Sequence, residues 1–482
     1  MKKRLLSLVL CAVMVLTCVP FALSVSAAEG TPKNDNVVYV ADNGKDNGTG
    51  TTPTDPVNDF SVAMEKLAKT GGVIVVVGYT TVFTGINLMP EHDKPITITS
   101  YYDGVDYRNK IFPGDAMGAR FVFQLAATDA FTLGGDLIFD YITFAWGSLS
   151  KNTIIACNFH DFTVTENCDA TFEDIDGTVW FTDSIDGHAN ARTYVGIILS
   201  GQNLAAGGET VKLDQNINVF GGMWNGVRVG DRDNVTRNTY DGVVNVNVGG
   251  DILFTQFTGD YKANNLSVMP VYQSSTTKDF VCNYTITGGT INTQMVGFGV
   301  GGGVTVGDYV CAGTVNLKIS GCKFNRVYAG ANGNGNFIRV ASQQPGANSK
   351  GVPIVFEDTA TVNIWIDTNS ISFNEFEGVT VTGVDYVKST LTVTADKFVT
   401  CEGIDMKVEA GSAPVVTDAP TVTDAPVVTD APVVTDAPVV TTATPAQPEP
   451  TPSTGDASVM VVFAAAAVLC LAAVVVIKKK EN

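Results

Sequence analysis

The chain has 482 residues, with 49 acidic against 30 basic side chains and a formal net charge of −19. A field that negative repels phosphate backbones and excludes nucleic acid as a partner. With 45% hydrophobic residues, 16% charged residues and 48 Gly, the composition excludes a wholly disordered chain and points to a β-rich, turn-rich extracellular protein.

Lys2, Lys3 and Arg4 precede a mostly apolar run from Leu5 to Leu23, and Ser24-Val25-Ser26-Ala27-Ala28 supplies the small residues a signal peptidase accepts. The arrangement predicts a secretory signal peptide over residues 1–28 and a short leader over 29–36. An N-terminal membrane anchor is the alternative for the same run. Val37-Val38-Tyr39-Val40 then reads as a strand, and Asp42 to Pro56 as a turn-rich loop. Gly44 stands where an EF-hand spacing needs a ligand, so a calcium loop does not fit. A helix is expected from Asp59 to Lys69, capped by Asp59, with Phe60, Ala63, Met64 and Leu67 on one face. Gly71-Gly72 ends it, and Val73-Ile74-Val75-Val76-Val77 reads as a fully buried strand.

Short strands broken by Gly, Asn and Asp follow, and a repeat emerges in the second half. Asn216-Ile217-Asn218-Val219-Phe220-Gly221, Asn245-Val246-Asn247-Val248-Gly249-Gly250, Asn283-Tyr284-Thr285-Ile286-Thr287-Gly288 and Asn316-Leu317-Lys318-Ile319-Ser320-Gly321 are copies, and Asn363-Ile364-Trp365-Ile366-Asp367 is a weaker one. In each copy the second and fourth residues point one way and are mostly aliphatic. Stacking the copies builds a core that no single copy could hold, and the irregular spacing suits loops inserted at the corners of a solenoid. The leading Asn residues are expected to stack in a hydrogen-bonded ladder. The fold class read from this is all-β, a parallel β-helix over residues 37–411 with an N-terminal capping helix. A pair of β-sandwich domains is the rival, since short strands at close spacing fit it too.

The chain has nine Cys. Cys11 and Cys18 fall in the signal peptide and Cys470 in a C-terminal apolar run, which leaves Cys157, Cys168, Cys282, Cys311, Cys322 and Cys401. Outside the cell these permit disulfides. With no Cys-x-x-Cys or Cys/His cluster, no metal or other cofactor is expected, and the thiols read mostly as buried small apolar groups.

From Ala413 the unit Ala-Pro-Val-Val-Thr-Asp recurs almost unchanged at Ala419, Ala425, Ala431 and Ala437. Regular Pro denies helix and the lack of patterned apolar faces denies a core. Residues 412–456 are therefore expected to be a disordered, extended stalk. At about 3.1 Å per residue its reach is on the order of 100 Å. Residues 457–477 are apolar and uncharged, long enough for a transmembrane helix. The basic tail at 478–482 places everything before it outside.

Thr451-Pro452-Ser453-Thr454-Gly455, followed by an apolar span and a basic tail, resembles the sorting signal of Gram-positive wall-anchored proteins. The resemblance implies that a sortase cuts between Thr454 and Gly455 and passes the chain to the cell wall. Thr451 stands where that family usually has Leu. A plain single-pass anchor in the membrane is the alternative. Farther upstream, the order strand, loop, capping helix, Gly-Gly and all-Val strand resembles the N-terminal cap of pectate-lyase-like right-handed β-helices. Gly134-Gly135-Asp136-Leu137-Ile138-Phe139-Asp140-Tyr141-Ile142-Thr143-Phe144 looks like one of their rungs. That family includes polysaccharide lyases, glycoside hydrolases and non-catalytic adhesins, so the resemblance implies a fold and no single activity.

The paired Asp and Gly-His-Gly of polygalacturonase-type enzymes and the carboxylate cluster and Arg of pectate lyases are not matched. The best catalytic candidates are Asp183, Asp186 and His188 on one loop with Arg192 close behind. Two carboxylates and an imidazole do acid/base chemistry when their pKa values are pushed apart. The same residues also make an ordinary solvated corner loop with local salt bridges, as do Asp231-Arg232-Asp233. His92 and His160 are isolated and read as structural. Trp146, Trp180 and Trp224 each follow a strand segment, so they are either platforms for sugar rings or core fillers. The reading is a non-catalytic surface binding protein for a polysaccharide, host or cell-envelope ligand, with a surface polysaccharide lyase or glycoside hydrolase as the alternative.

Overall fold

The computed structural model of the chain describes residues 36–83, 89–124, 130–146, 154–170, 197–201, 208–224, 226–231, 238–254, 268–272, 274–289, 294–296, 309–322, 324, 326–329, 354–371, 378–383 and 387–409. They belong to one compact unit that runs to Pro414, and the unit from Val415 onward lies outside them. The expected signal peptide, stalk, sorting motif and 457–477 span therefore all lie outside the described residues. Among the described residues, no helix is long and apolar enough to cross a membrane.

The helix spans Phe60–Leu67. Asp59, in extended backbone, caps it by accepting from the Ser61 N–H at 2.6 Å, which satisfies one of the orphan donors of the first turn. Phe60, Ala63, Met64 and Leu67 are its buried face. Gly71, at φ +64°, ends it by turning its N–H back onto the Leu67 carbonyl at 2.8 Å. The ring of Phe60 meets Phe121 edge-on at 5.2 Å, so the helix packs onto the aromatic core of the first coils.

The protein is mostly β, built on three parallel sheets that the chain visits in rotation. One circuit runs Leu137–Asp140 in the long sheet, Thr143–Trp146 in a four-stranded sheet, Ile154–Ala156 in a nine-stranded sheet, then Phe162–Val164 back in the long sheet. The long sheet passes through twelve strands from Val37–Lys45 to Met406–Val408, and every pairing along it is parallel. This is the arrangement of a β-helix solenoid. A pair of sandwich domains would have needed antiparallel sheets, and the only antiparallel strand pair among the described residues is the two-residue hairpin Tyr101–Tyr102 with Val105–Asp106.

Register explains the repeat. Ile96, Leu137, Phe162, Ile217, Val246, Tyr284, Leu317, Ile364 and Leu391 form one inward row. Ile98, Phe139, Val164, Val219, Val248, Ile286, Ile319, Ile366 and Val393 form the next. All are buried in one continuous core, and each such side chain stabilises the stack by about 1.5–3 kcal/mol. The strand Gly72–Val76 is buried on both faces, with Ile74 and Val76 in that core and Val73 and Val75 in a second cluster.

The expected asparagine ladder is present on the outer face. Asn245 donates to Asn216 at 3.1 Å, Asn283 to Asn245 at 2.9 Å, Asn316 to Asn283 at 2.9 Å and Asn363 to Asn316 at 3.0 Å. The partners are 29, 38, 33 and 47 residues apart in sequence, so corner insertions vary while the rung register holds. Asp161 accepts both Asn216 donors at one end, at 2.7 and 3.1 Å, and Thr390 donates to Asn363 at 2.7 Å at the other. A shorter second ladder joins Asn247 to Asn218 and Asn218 to Thr163. Asn283→Ala removes one donor and one acceptor from mid-ladder, so it should lower the unfolding free energy by about 1–3 kcal/mol in a denaturant titration, at about 0.5–1.5 per net hydrogen bond.

The six cysteines among the described residues are unpaired thiols, all buried except the half-buried Cys401. Cys282 takes a core position in register with Val244 and Val315. Burial pushes the thiols of Cys168, Cys311 and Cys322 up to about 12 and raises those of Cys157 and Cys282 as well, so they are neutral, unreactive core groups.

Candidate functional site

Between the strands Ile96–Thr99 and Arg120–Gln124 the coil carries an insertion. Asp103-Gly104, at φ +50° and +79°, makes the tight turn of its two-residue hairpin, the backbone that Asp-Gly adopts most readily. Asp106 then caps a short 3-10 turn, Tyr107–Asn109, by accepting from the Arg108 N–H at 3.0 Å. The insertion closes where the Ala119 N–H reaches the Tyr107 carbonyl at 3.0 Å. Gly118 makes that closure possible, because a Cβ there would sit 1.8 Å from the Arg108 carbonyl oxygen.

The insertion folds against the outer face of the first rungs. Tyr102 is buried on Ala41, Val73, Val75 and Val77, with Tyr39, Tyr107 and Phe112 packed around it. Tyr39 meets Tyr102 edge-on at 6.3 Å, and Tyr101 stacks on Tyr141 at 4.8 Å and 28°. Arg108 lies 5.1 Å over the Tyr141 ring, forks onto Asp106 through Nε at 3.0 Å and Nη2 at 2.8 Å, and donates to the Asn167 carbonyl at 3.0 Å. Asp140, beside Tyr141, accepts from Thr165 at 2.7 Å and from Asn167 at 3.0 Å. Tyr141 itself has φ +51°, a left-handed backbone that costs a non-glycine residue about 1–2 kcal/mol. Strain of that kind gathers where a side chain must be aimed.

The outcome is a tyrosine patch made of two sets of half-buried rings, Tyr39 and Tyr107 around the buried Tyr102 and Tyr101 stacked on Tyr141, with Asp103 and Lys110 exposed on the same insertion. Burial, helped by neighbouring acidic groups, raises all the shifted phenols, with Tyr39 pushed up to about 12 and Tyr107 and Tyr141 above their ordinary value. They are neutral hydroxyls at any physiological pH. Flat apolar faces bearing neutral hydroxyls can stack on sugar rings and share hydrogen bonds with them.

The carboxylates that burial perturbs near this patch serve the backbone. Tyr79–Phe83 is the edge strand of the four-stranded sheet, and edges expose unpaired N–H groups. Asp115 accepts the Tyr79 N–H at 2.8 Å and the Asn43 amide at 2.6 Å, while Asp42 accepts the Thr81 N–H at 2.9 Å and its hydroxyl. Desolvation raises both carboxyls. In the neighbouring loop, Asp55 accepts from the Thr49 hydroxyl and N–H and from Lys45, which hold its carboxyl down at about 2. A depressed carboxyl stabilises the loop above its ordinary pKa and loses that contribution as pH falls through about 2. An NMR acid titration of Asp55 should therefore give a midpoint near 2, with Thr49 shifting alongside.

Asp183, Asp186, His188, Arg192 and Trp180 lie outside the described residues, as do Thr451, Pro452, Thr454 and Gly455. Trp146 ends a strand of the four-stranded sheet, paired with Phe123, and its side chain is outside the description. Trp224 corrects the expectation of a sugar platform. It is 0% exposed, meets Phe144 edge-on at 5.0 Å and donates its indole N–H to the Gly221 carbonyl at 3.0 Å.

Asp231 is not solvated either. It is buried and accepts from the Tyr240 hydroxyl at 3.0 Å and the Asn238 N–H at 3.3 Å, a buried polar knot, while Arg232 and Asp233 lie outside the described residues. His92 is buried between the Pro90 and Asp136 carbonyls, in keeping with a structural histidine. Among the described residues, no group of three or more His, Cys, Asp or Glu is placed to hold a metal ion. No family model, curated protein or solved structure matches the chain.

The tyrosine patch was missed from the sequence. Tyr101-Tyr102-Asp103-Gly104 and Tyr107-Arg108 lie within one hairpin signal, but Tyr141 joins them only through the pitch of the coil. Trp365 was likewise passed over, and it lies half-buried on the outer face of the long sheet with the Lys318 ammonium 5.8 Å from its ring.

Proposed function

We propose that this chain is a surface-displayed, non-catalytic binding protein, a glycan-binding adhesin whose right-handed, pectate-lyase-like β-helix stands on an extended stalk. The observation that carries the reading is the tyrosine patch: aromatic faces fixed by an insertion, by a strained backbone at Tyr141 and by Arg108, at the side of a rigid coil. A scaffold that fixes half-buried rings before any ligand arrives lowers the ordering cost of binding. The perturbed carboxylates Asp42 and Asp115 are committed to backbone N–H groups.

In the same reading, residues 1–28 direct export, residues 412–456 form the spacer, and residues 457–477 hold the chain at the membrane until a sortase acts at Thr454-Gly455. Incubating the protein with acidic and neutral polysaccharides tests it. The expected result is retention of at least one polymer without shortening. Turnover abolished by Asp186→Ala would instead establish the lyase or glycosidase.

A further inference from the structure

The patch has a chemical bias beyond aromaticity. Two cations of the chain already rest on its rings, Arg108 at 5.1 Å over Tyr141 and Lys110 at 5.8 Å over Tyr107. A tyrosine face attracts a cation through its ring quadrupole, so these contacts mark the faces as cation-accepting. The local charge has the same sign as the ring faces. Asp103, Asp106 and Asp140 stand against Arg108 and Lys110, and Arg108 is forked onto Asp106. Asp103 sits exposed at the hairpin tip, close enough to both Tyr39 and Tyr107 to hinder loss of their protons. The chain as a whole, at −19, draws cationic polymers toward it.

Resting on the glycan-binding reading, we propose that the patch takes a cationic amino-sugar polymer, whose protonated amines dock on the Tyr39 and Tyr107 faces beside Asp103. One sugar ring of the polymer stacks at the Tyr101–Tyr141 pair, and an ammonium elsewhere on the polymer displaces the Lys110 ammonium from Tyr107. Lys110 is thus an internal competitor that occupies the face until a ligand arrives.

The test titrates the full chain with a glucosamine oligomer and with its fully N-acetylated counterpart of equal length. The glucosamine oligomer should bind at least tenfold more tightly, and the gap should narrow as added salt screens Asp103. Lys110→Gln, which removes the competitor, should tighten glucosamine binding about two- to fivefold, the range of an exposed cation–π contact. Tyr107→Leu keeps an apolar side chain against the second cluster but lacks the ring, so it should weaken binding, while Tyr107→Phe should retain it. Equal or tighter binding of the N-acetylated oligomer, or weaker binding in Lys110→Gln, would overturn the cationic preference and leave glycan binding standing. Failure of both oligomers while another polysaccharide is retained would do the same. Failure of every polysaccharide would overturn both.

Discussion

Trp224→Ala is expected to lower the unfolding free energy by about 3–5 kcal/mol, the range for emptying a large aromatic site in a packed core. The indole is fully buried, against the edge of Phe144, in the stack that runs through Phe123 and Phe139. Its removal also leaves the Gly221 carbonyl without its indole donor, and an unmet buried acceptor costs about 1–3 kcal/mol more where water cannot enter. Trp224→Phe should recover part of the loss by restoring packing without the hydrogen bond. A denaturant titration gives the answer. A cost near zero would mean that the side chain lies at the surface.

Tyr240→Phe is expected to cost about 1.5–3 kcal/mol, the range for a hydrogen bond to a charged group. The substitution keeps the ring, which packs edge-on against Phe159 at 5.8 Å and tilted against Phe280 at 6.5 Å. It removes only the hydroxyl that donates to Asp231 at 3.0 Å. The phenol is raised well above its ordinary value by burial first and by the Asp231 carboxylate second, so it stays a donor at all accessible pH. Without it the carboxylate is left in a low-dielectric site with one donor fewer. Gly201→Ala should damage the same knot from the other side, because its Cβ would fall 2.0 Å from the Tyr240 hydroxyl and 2.2 Å from Asp231 Oδ1. Equal stability of Tyr240→Phe and the parent chain would show that Asp231 is hydrated.

The coil was legible in the sequence because its signals are local and periodic. Alternation in Asn245-Val246-Asn247-Val248 sets which side faces the core, and repetition at Asn283 and Asn316 sets the stack, so the ladder could be anticipated without knowing any corner. The helix was readable from Asp59 and Gly71-Gly72 for the same reason, although it stops at Leu67, two residues short of the expected end, because the Gly71 N–H already closes on that carbonyl.

The candidate site was not legible. Tyr39, Tyr101, Tyr107 and Tyr141 belong to three rungs, and only the pitch brings them together. Nor does the local sequence separate the buried Trp224 from an exposed tryptophan, since both follow a strand. Asp231 was misread on the same ground: an Asp beside an Arg resembles a surface corner unless Tyr240 and Ser274 are known to close over it.

Retention of polysaccharide by the full chain, compared between the parent protein and Tyr101→Ala, is the most direct test of the tyrosine patch as the binding surface. Truncating a stacked ring at the centre of a binding site costs at least about 1–2 kcal/mol, so affinity should fall roughly tenfold or more while the folding transition moves little. Gly118→Ala, which prevents the insertion from closing without touching a ring, should abolish retention in the same assay. Unchanged retention in both variants, or release of shortened polymer by the parent chain, would contradict a non-catalytic patch.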